Sequence, residues 1–174
     1  GQQTTASEFG LCLEFRRVPF RSGFLSAWKA NMGTQAPGIV AMAGAGGVAR
    51  AIGPALAELG ATEIRIWDVS IASARKLVDL IGEPARVVAI EDAAAAIAGA
   101  TGLVNATPPG MTYHPGPAFA PDMIVSQNSA VDAVYTPTDT KFLGDCPSAV
   151  LPTLHQLGRL SRREIIEFSG VAHS

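Results

Sequence analysis

The constraint that most limits this chain lies between residues 39 and 52. A short apolar run, Ile39-Val40-Ala41-Met42-Ala43, passes into a glycine cluster, Gly44-Ala45-Gly46-Gly47. Apolar residues at Val48, Ile52, Leu56 and Leu59 follow, spaced as on one face of a helix. A strand that turns through glycines into a helix has few uses for such a turn. The pattern Gly44-x-Gly46-x-x-Ala49 assigns each position a task. Gly44 allows a tight turn, Gly46 lets a backbone come close to a pyrophosphate, and Ala49 keeps the helix near the strand. A helix N-terminus opening at that turn offers free N–H groups and a positive dipole end to an anion.

The rest of the middle block repeats the alternation. Glu63 to Asp68 predicts a second strand and Ile71 to Ile81 a second helix, with Leu77, Leu80 and Ile81 on one face. Arg86 to Ile90 predicts a third strand, and Glu91 to Ala100 an alanine-rich helix with two acids in its first turn. Gly102 to Asn105 predicts a fourth strand, and Ala130 to Tyr135 a fifth. Short, nearly all-apolar strands separated by helices of about ten residues argue for a parallel sheet. The expected fold is α/β, a Rossmann-like doubly wound parallel sheet with helices on both faces. Pro54 inside the first of these helices removes a donor, so a kink is expected at Gly53-Pro54.

Asp68 falls 24 residues after Gly44, at the expected end of the second strand. A carboxylate there grips the ribose hydroxyls of an adenosine and repels a 2′-phosphate, which favours NAD over NADP. Arg75 is near enough in sequence to serve a phosphate, so NADP stays open.

Composition narrows the class. Of 174 residues, 48% are hydrophobic, and no run approaches the ~18 apolar residues of a membrane span. Net charge is −2, which leaves no basic footprint for nucleic acid. Residues 36–140 hold five basic and ten acidic side chains, whereas both flanks are net positive. Cys12 and Cys146 make neither a disulfide framework nor a zinc site, so no metal is expected. With no signal peptide visible, a reduced cytoplasmic setting is expected. Association of identical copies is left open.

Four segments carry a family resemblance. Gly44-Ala-Gly-Gly-Val-Ala-Arg-Ala51 resembles the glycine turn of shikimate and quinate/shikimate dehydrogenases. Asn105-Ala-Thr-Pro-Pro-Gly-Met111 resembles the loop of that family that lies along the cofactor. Asp132-Ala-Val-Tyr-Thr-Pro-Thr-Asp-Thr140 resembles its segment near the substrate cleft, and Ser22-Gly-Phe24 the end of its Asn-Thr-Asp-x-x-Gly-Phe motif. The resemblance covers about residues 22–143 and implies an NAD(P)-linked oxidoreductase interconverting 3-dehydroshikimate or 3-dehydroquinate with the alcohol. The cofactor-binding set it implies, with the glycine turn, is Gly44, Ala45, Gly46, Gly47, Val48, Asp68, Asn105, Ala106, Thr107, Pro108 and Met111, with Tyr135 beside the substrate. NADP-using members carry Asn-Arg-Thr after the second strand. Trp67-Asp68-Val69-Ser70 resembles the NAD-using branch instead.

Bottom-up, residues 106–121 hold five prolines and two glycines, a stiff irregular loop after a strand C-end, where open α/β sheets bind ligands. His114, flanked by Pro115-Gly116, reads as a turn residue rather than a base.

The ends depart from the family. Alignment on Ser22-Gly23-Phe24 sets Val18-Pro19-Phe20 where Asn-Thr-Asp should stand, and Phe20 cannot exchange a proton. No lysine precedes Lys29, so the family's catalytic lysine has no counterpart. Residues 1–21 and 144–174 are therefore expected to be an atypical arm and tail around a domain at 22–143. His155-Gln156 falls too early for the family's substrate glutamine. The expectation is a nucleotide-binding domain without its substrate domain, with no catalytic residue of its own and inactive alone. Two alternatives fit the same glycine turn: a non-catalytic module sensing NAD(H), and the Rossmann domain of a methylene-tetrahydrofolate dehydrogenase-like enzyme.

Overall fold

A computed structural model describes residues 21–107, 119–124 and 127–132. A helix (α1) runs through residues 21–32. Then follow β1 (Ile39–Ala43), α2 (Ala49–Glu58), β2 (Glu63–Trp67), α3 (Ile71–Ile81), β3 (Ala85–Val87), α4 (Ala93–Ile97), β4 (Gly102–Asn105) and β5 (Ser129–Asp132). The five strands form one sheet in the order β3-β2-β1-β4-β5, every pair parallel. The chain starts in the middle strand, winds to one edge, then returns past β1 to the other. This is the doubly wound arrangement expected from the alternation, and its strand order reverses between β1 and β4.

The two-residue pleat divides the core in two. Val40, Met42, Ile64, Ile66, Val104 and Val131 face α1, α2 and α3. Ala41, Ala43, Trp67, Leu103 and Ala130 face α4 and the segment 119–124. Trp67 meets Phe119 edge-on there, with centroids 6.0 Å apart. Helices thus cover both faces. Among the described residues, no helix is long and apolar enough to cross a membrane.

Helix α1 was not expected. Phe24, Ala27, Trp28 and Met32 sit at helical spacing and are all buried against the sheet. Trp28 stacks at a tilt on Phe24, and its indole N–H donates to Gln35 O at 2.8 Å. Arg21, the last residue of the expected arm, lies in this helix and pairs with Glu58 of α2. Helix α2 stays continuous from Ala49 to Glu58 with Pro54 inside it. Gly60, with φ +86°, follows it and supplies the left-handed residue that ends such helices.

Three expectations are corrected. The third strand is Ala85–Val87 rather than 86–90, because Ile90 is half exposed and opens a 3-10 turn with Glu91 and Asp92. The helix expected over 91–100 is regular only from Ala93 to Ile97. Arg65, projecting from β2, closes it by donating to Ala96 O and Ala98 O, each at 2.9 Å. Leu80 is half exposed, so α3 buries Ala74 and Leu77 instead.

Candidate nucleotide-binding site

The residues singled out in the sequence that fall within the described part converge on the C-terminal edge of the sheet, around the reversal between β1 and β4. Gly44 leaves β1 with φ +98°, a conformation that L side chains avoid. A Cβ at this position would stand 2.6 Å from Ala106 O and 2.8 Å from Ala106 C. The glycine is required because the backbone after β4 packs directly on it. Gly44 N–H donates to Trp67 O and Ala106 N–H to Ala43 O, both at 2.8 Å. The turn is therefore clamped between the strands on either side of β1.

Gly46 and Gly47 differ. Both are exposed, neither has a positive φ, and among the described residues a Cβ on either would meet nothing within 4 Å. No contact among the described residues explains a lack of side chains there; an approaching ligand would. Val48 occupies the N-cap of α2 without any side-chain cap, and the first turn of the helix carries no acid. The helix start thus offers backbone donors for which no acid of its own first turn competes. Ala49 is fully buried, consistent with its close-packing task.

Asp68 follows the last residue of β2. Its Oδ2 accepts from Ala45 N–H at 2.8 Å and its Oδ1 from Ser70 N–H at 2.7 Å. The first bond ties the carboxylate to the glycine turn itself. A carboxylate offers about four acceptor positions, so two remain for hydroxyl donors. Val69 beside it is 92% exposed. The sequence located this acid but gave no sign of its bond to Ala45.

Across the reversal, Asn105 ends β4 and is fully buried. Its Nδ2 donates to Asp132 Oδ1 at 3.0 Å, and its Oδ1 accepts from Thr107 N–H at 3.0 Å and from Thr107 Oγ at 2.6 Å. Ala106 and Thr107 are half-buried against the glycine turn. Asp132 was not among the site residues read from the sequence. Its place as the first residue of the Asp132–Thr140 segment, paired in register with Asn105, was the available signal. Pro108, Met111, His114 and Tyr135 lie outside the described residues.

Together these parts make a crevice with anion-seeking amides on one side, a carboxylate at one end and a polar turn on the other side. That combination suits a dinucleotide: amides for a pyrophosphate, a carboxylate for ribose hydroxyls.

No family model matches the chain. The shikimate dehydrogenase (NADP(+)) of Rhodopseudomonas palustris (strain BisB5) is 34% identical over 151 residues, spanning 84% of this chain and 52% of the relative. The quinate/shikimate dehydrogenase (NAD(+)) of Corynebacterium efficiens is 36% identical over 120 residues, or 66% of this chain and 42% of the relative. Among solved structures, a quinate dehydrogenase from Corynebacterium glutamicum in complex with NAD superimposes with a TM-score of 0.74 at 28% identity, covering 87% of this chain and 57% of that one. The chain is thus similar in sequence and in fold to these dehydrogenases, and it spans about half the length of the curated relatives it matches.

Proposed function

We propose that the chain is the nucleotide-binding part of a shikimate or quinate/shikimate dehydrogenase, an oxidoreductase that interconverts a 3-dehydro acid and its alcohol. The observation that carries the reading is the pair of exposed glycines, Gly46 and Gly47, at an uncapped helix N-terminus. No contact among the described residues demands them, and a pyrophosphate does. Likeness to dehydrogenases that use both NAD(+) and NADP(+) supports it.

In this reading Gly44 and Ala45 shape the turn, Gly46, Gly47 and Val48 face the pyrophosphate, and Asp68 takes the adenosine ribose. Asn105, Ala106, Thr107, Pro108 and Met111 line the nicotinamide side, and Tyr135 the substrate side. When bound, the nicotinamide accepts or delivers a hydride. The residues of this chain bind and orient it. Phe20 stands at the position of the family's proton-exchanging Asp and cannot exchange a proton. The chain is therefore proposed to bind nucleotide without turning over by itself.

NAD is the proposed cofactor over NADP, because a 2′-phosphate would stand against the Asp68 carboxylate. Calorimetric titration of wild type and Asp68→Asn with both nucleotides tests this. Wild type is expected to favour NAD by roughly tenfold or more, about 1.4 kcal/mol, and the variant to lose that preference. Equal affinities in wild type would overturn the choice of cofactor.

A further inference from the structure

Asp132 has no part in the reading above, yet it is paired with Asn105 at the reversal of the sheet. Asp132 is 3% exposed and Asn105 is fully buried, at matched positions on β5 and β4. An ionised carboxylate only accepts hydrogen bonds, whereas a carboxamide has a donating and an accepting end. Asp132 therefore dictates which way Asn105 faces: its NH₂ points to β5, as the 3.0 Å contact records. The carbonyl end must then point along the chain, where it receives both donors of Thr107. That double bond to one residue fixes the bend after β4. The bend delivers the Ala106 carbonyl to the face of Gly44, where a Cβ would stand 2.6 Å from it.

We propose that Asp132 is a positioning residue of the nucleotide site. Through Asn105 it sets the turn at Ala106 and Thr107, and through that turn the placement of Gly44. This rests on the reading of the crevice as a nucleotide site. It adds that the acid on β5 governs the side of the site formed after β4. The Thr107 N–H, which only donates, calls for the same orientation of Asn105, so the acid and the bend act together.

Exchanging the two side chains separates positioning from simple packing. Asn105→Asp faces one carboxylate with another. It is expected to weaken NAD at least tenfold, measured by calorimetry well below the melting temperature of each variant. Adding Asp132→Asn restores one donor and one acceptor across the pair, so the exchanged protein is expected to bind NAD at least threefold more tightly than Asn105→Asp. The Thr107 amide should exchange slowly with solvent in wild type and in the exchanged protein, and fast in Asn105→Asp, with no nucleotide present. Asn105→Asp binding NAD as wild type does would overturn the proposal, whatever its melting temperature. So would an exchanged protein that binds no better than Asn105→Asp. If Asn105→Asp does not fold, the exchanged protein decides: folded with a slowly exchanging Thr107 amide supports the proposal; unfolded, or with a fast-exchanging one, refutes it. Wild type failing to bind NAD while Thr107 exchange follows the expected order would instead refute the nucleotide reading and leave the positioning intact.

Discussion

Adding a single methyl group at Gly44 or at Gly46 should have opposite consequences. At Gly44 the backbone has φ +98°, and the new Cβ would stand 2.6 Å from a backbone oxygen and 2.8 Å from a backbone carbon. The strained dihedral costs about 1–3 kcal/mol. The clash, which no side-chain rotation relieves, adds about 1–3 kcal/mol as overpacking does. Gly44→Ala should therefore lose about 2–6 kcal/mol of stability. At about 2–4 °C per kcal/mol for a domain of this size, the melting temperature should fall by some ~5–20 °C. At Gly46 the φ is ordinary and nothing lies within 4 Å of a Cβ. Gly46→Ala should leave stability unchanged or raise it by about 0.4–1 kcal/mol, through a less disordered unfolded chain. The same methyl occupies the space through which a pyrophosphate reaches the α2 amides, so NAD affinity should drop by about tenfold or more. Thermal melts and NAD titrations of both variants are the assay. A Gly46→Ala protein that binds NAD like wild type would refute the claim that this glycine is there for a ligand. A Gly44→Ala protein with unchanged stability would refute the close approach of Ala106.

Other outcomes follow from the packing. Glu63 is hydrogen-bonded to Arg65 and then to Arg86, and these bonds hold its carboxyl down from an ordinary 4.5 to about 2. An acid depressed in this way stabilises the folded state fully above pH ~4.5 and loses that contribution as the pH falls through about 2. Urea midpoints between pH 7 and pH 2 should therefore fall less steeply for Glu63→Gln than for wild type; parallel curves would contradict this. Trp28→Ala should cost about 3–5 kcal/mol, because the indole is buried between α1 and the sheet and its N–H is satisfied by Gln35 O. A loss below about 1 kcal/mol in chemical denaturation would mean that α1 is not docked. Mixed with shikimate and NAD, the purified chain should show no absorbance rise from NADH; a rise would refute the proposal that the missing acid and base are needed.

Much of this was legible in the residues because the relevant signals are local. Strand β4 was read at its observed limits, and β1 and α3 likewise, since each is a run of uniform pattern bounded by glycine or a cap. The glycine turn was legible because its conformation is imposed at Gly44 itself. What escaped depends on partners far along the chain. Alanine-rich 91–100 looks helical throughout, but Arg65 from β2 and the left-handed Gly99 end its regular part at Ile97. Helix α1 did have a local signal in Phe24, Ala27, Trp28 and Met32. The bonds from Asp68 to Ala45 and from Asp132 to Asn105 span 23 and 27 residues, and no spacing rule encodes them.

The central claim is that the amides opening α2 hold the pyrophosphate of a nicotinamide dinucleotide. An amide-resolved NMR titration of the wild-type chain with NAD tests it most directly. The Gly46, Gly47 and Val48 amides should shift furthest and saturate together with those of Ala45 and Thr107, while residues of α4 stay in place. Saturable shifts that leave Gly46, Gly47 and Val48 unmoved, or no shifts up to millimolar NAD, would contradict it.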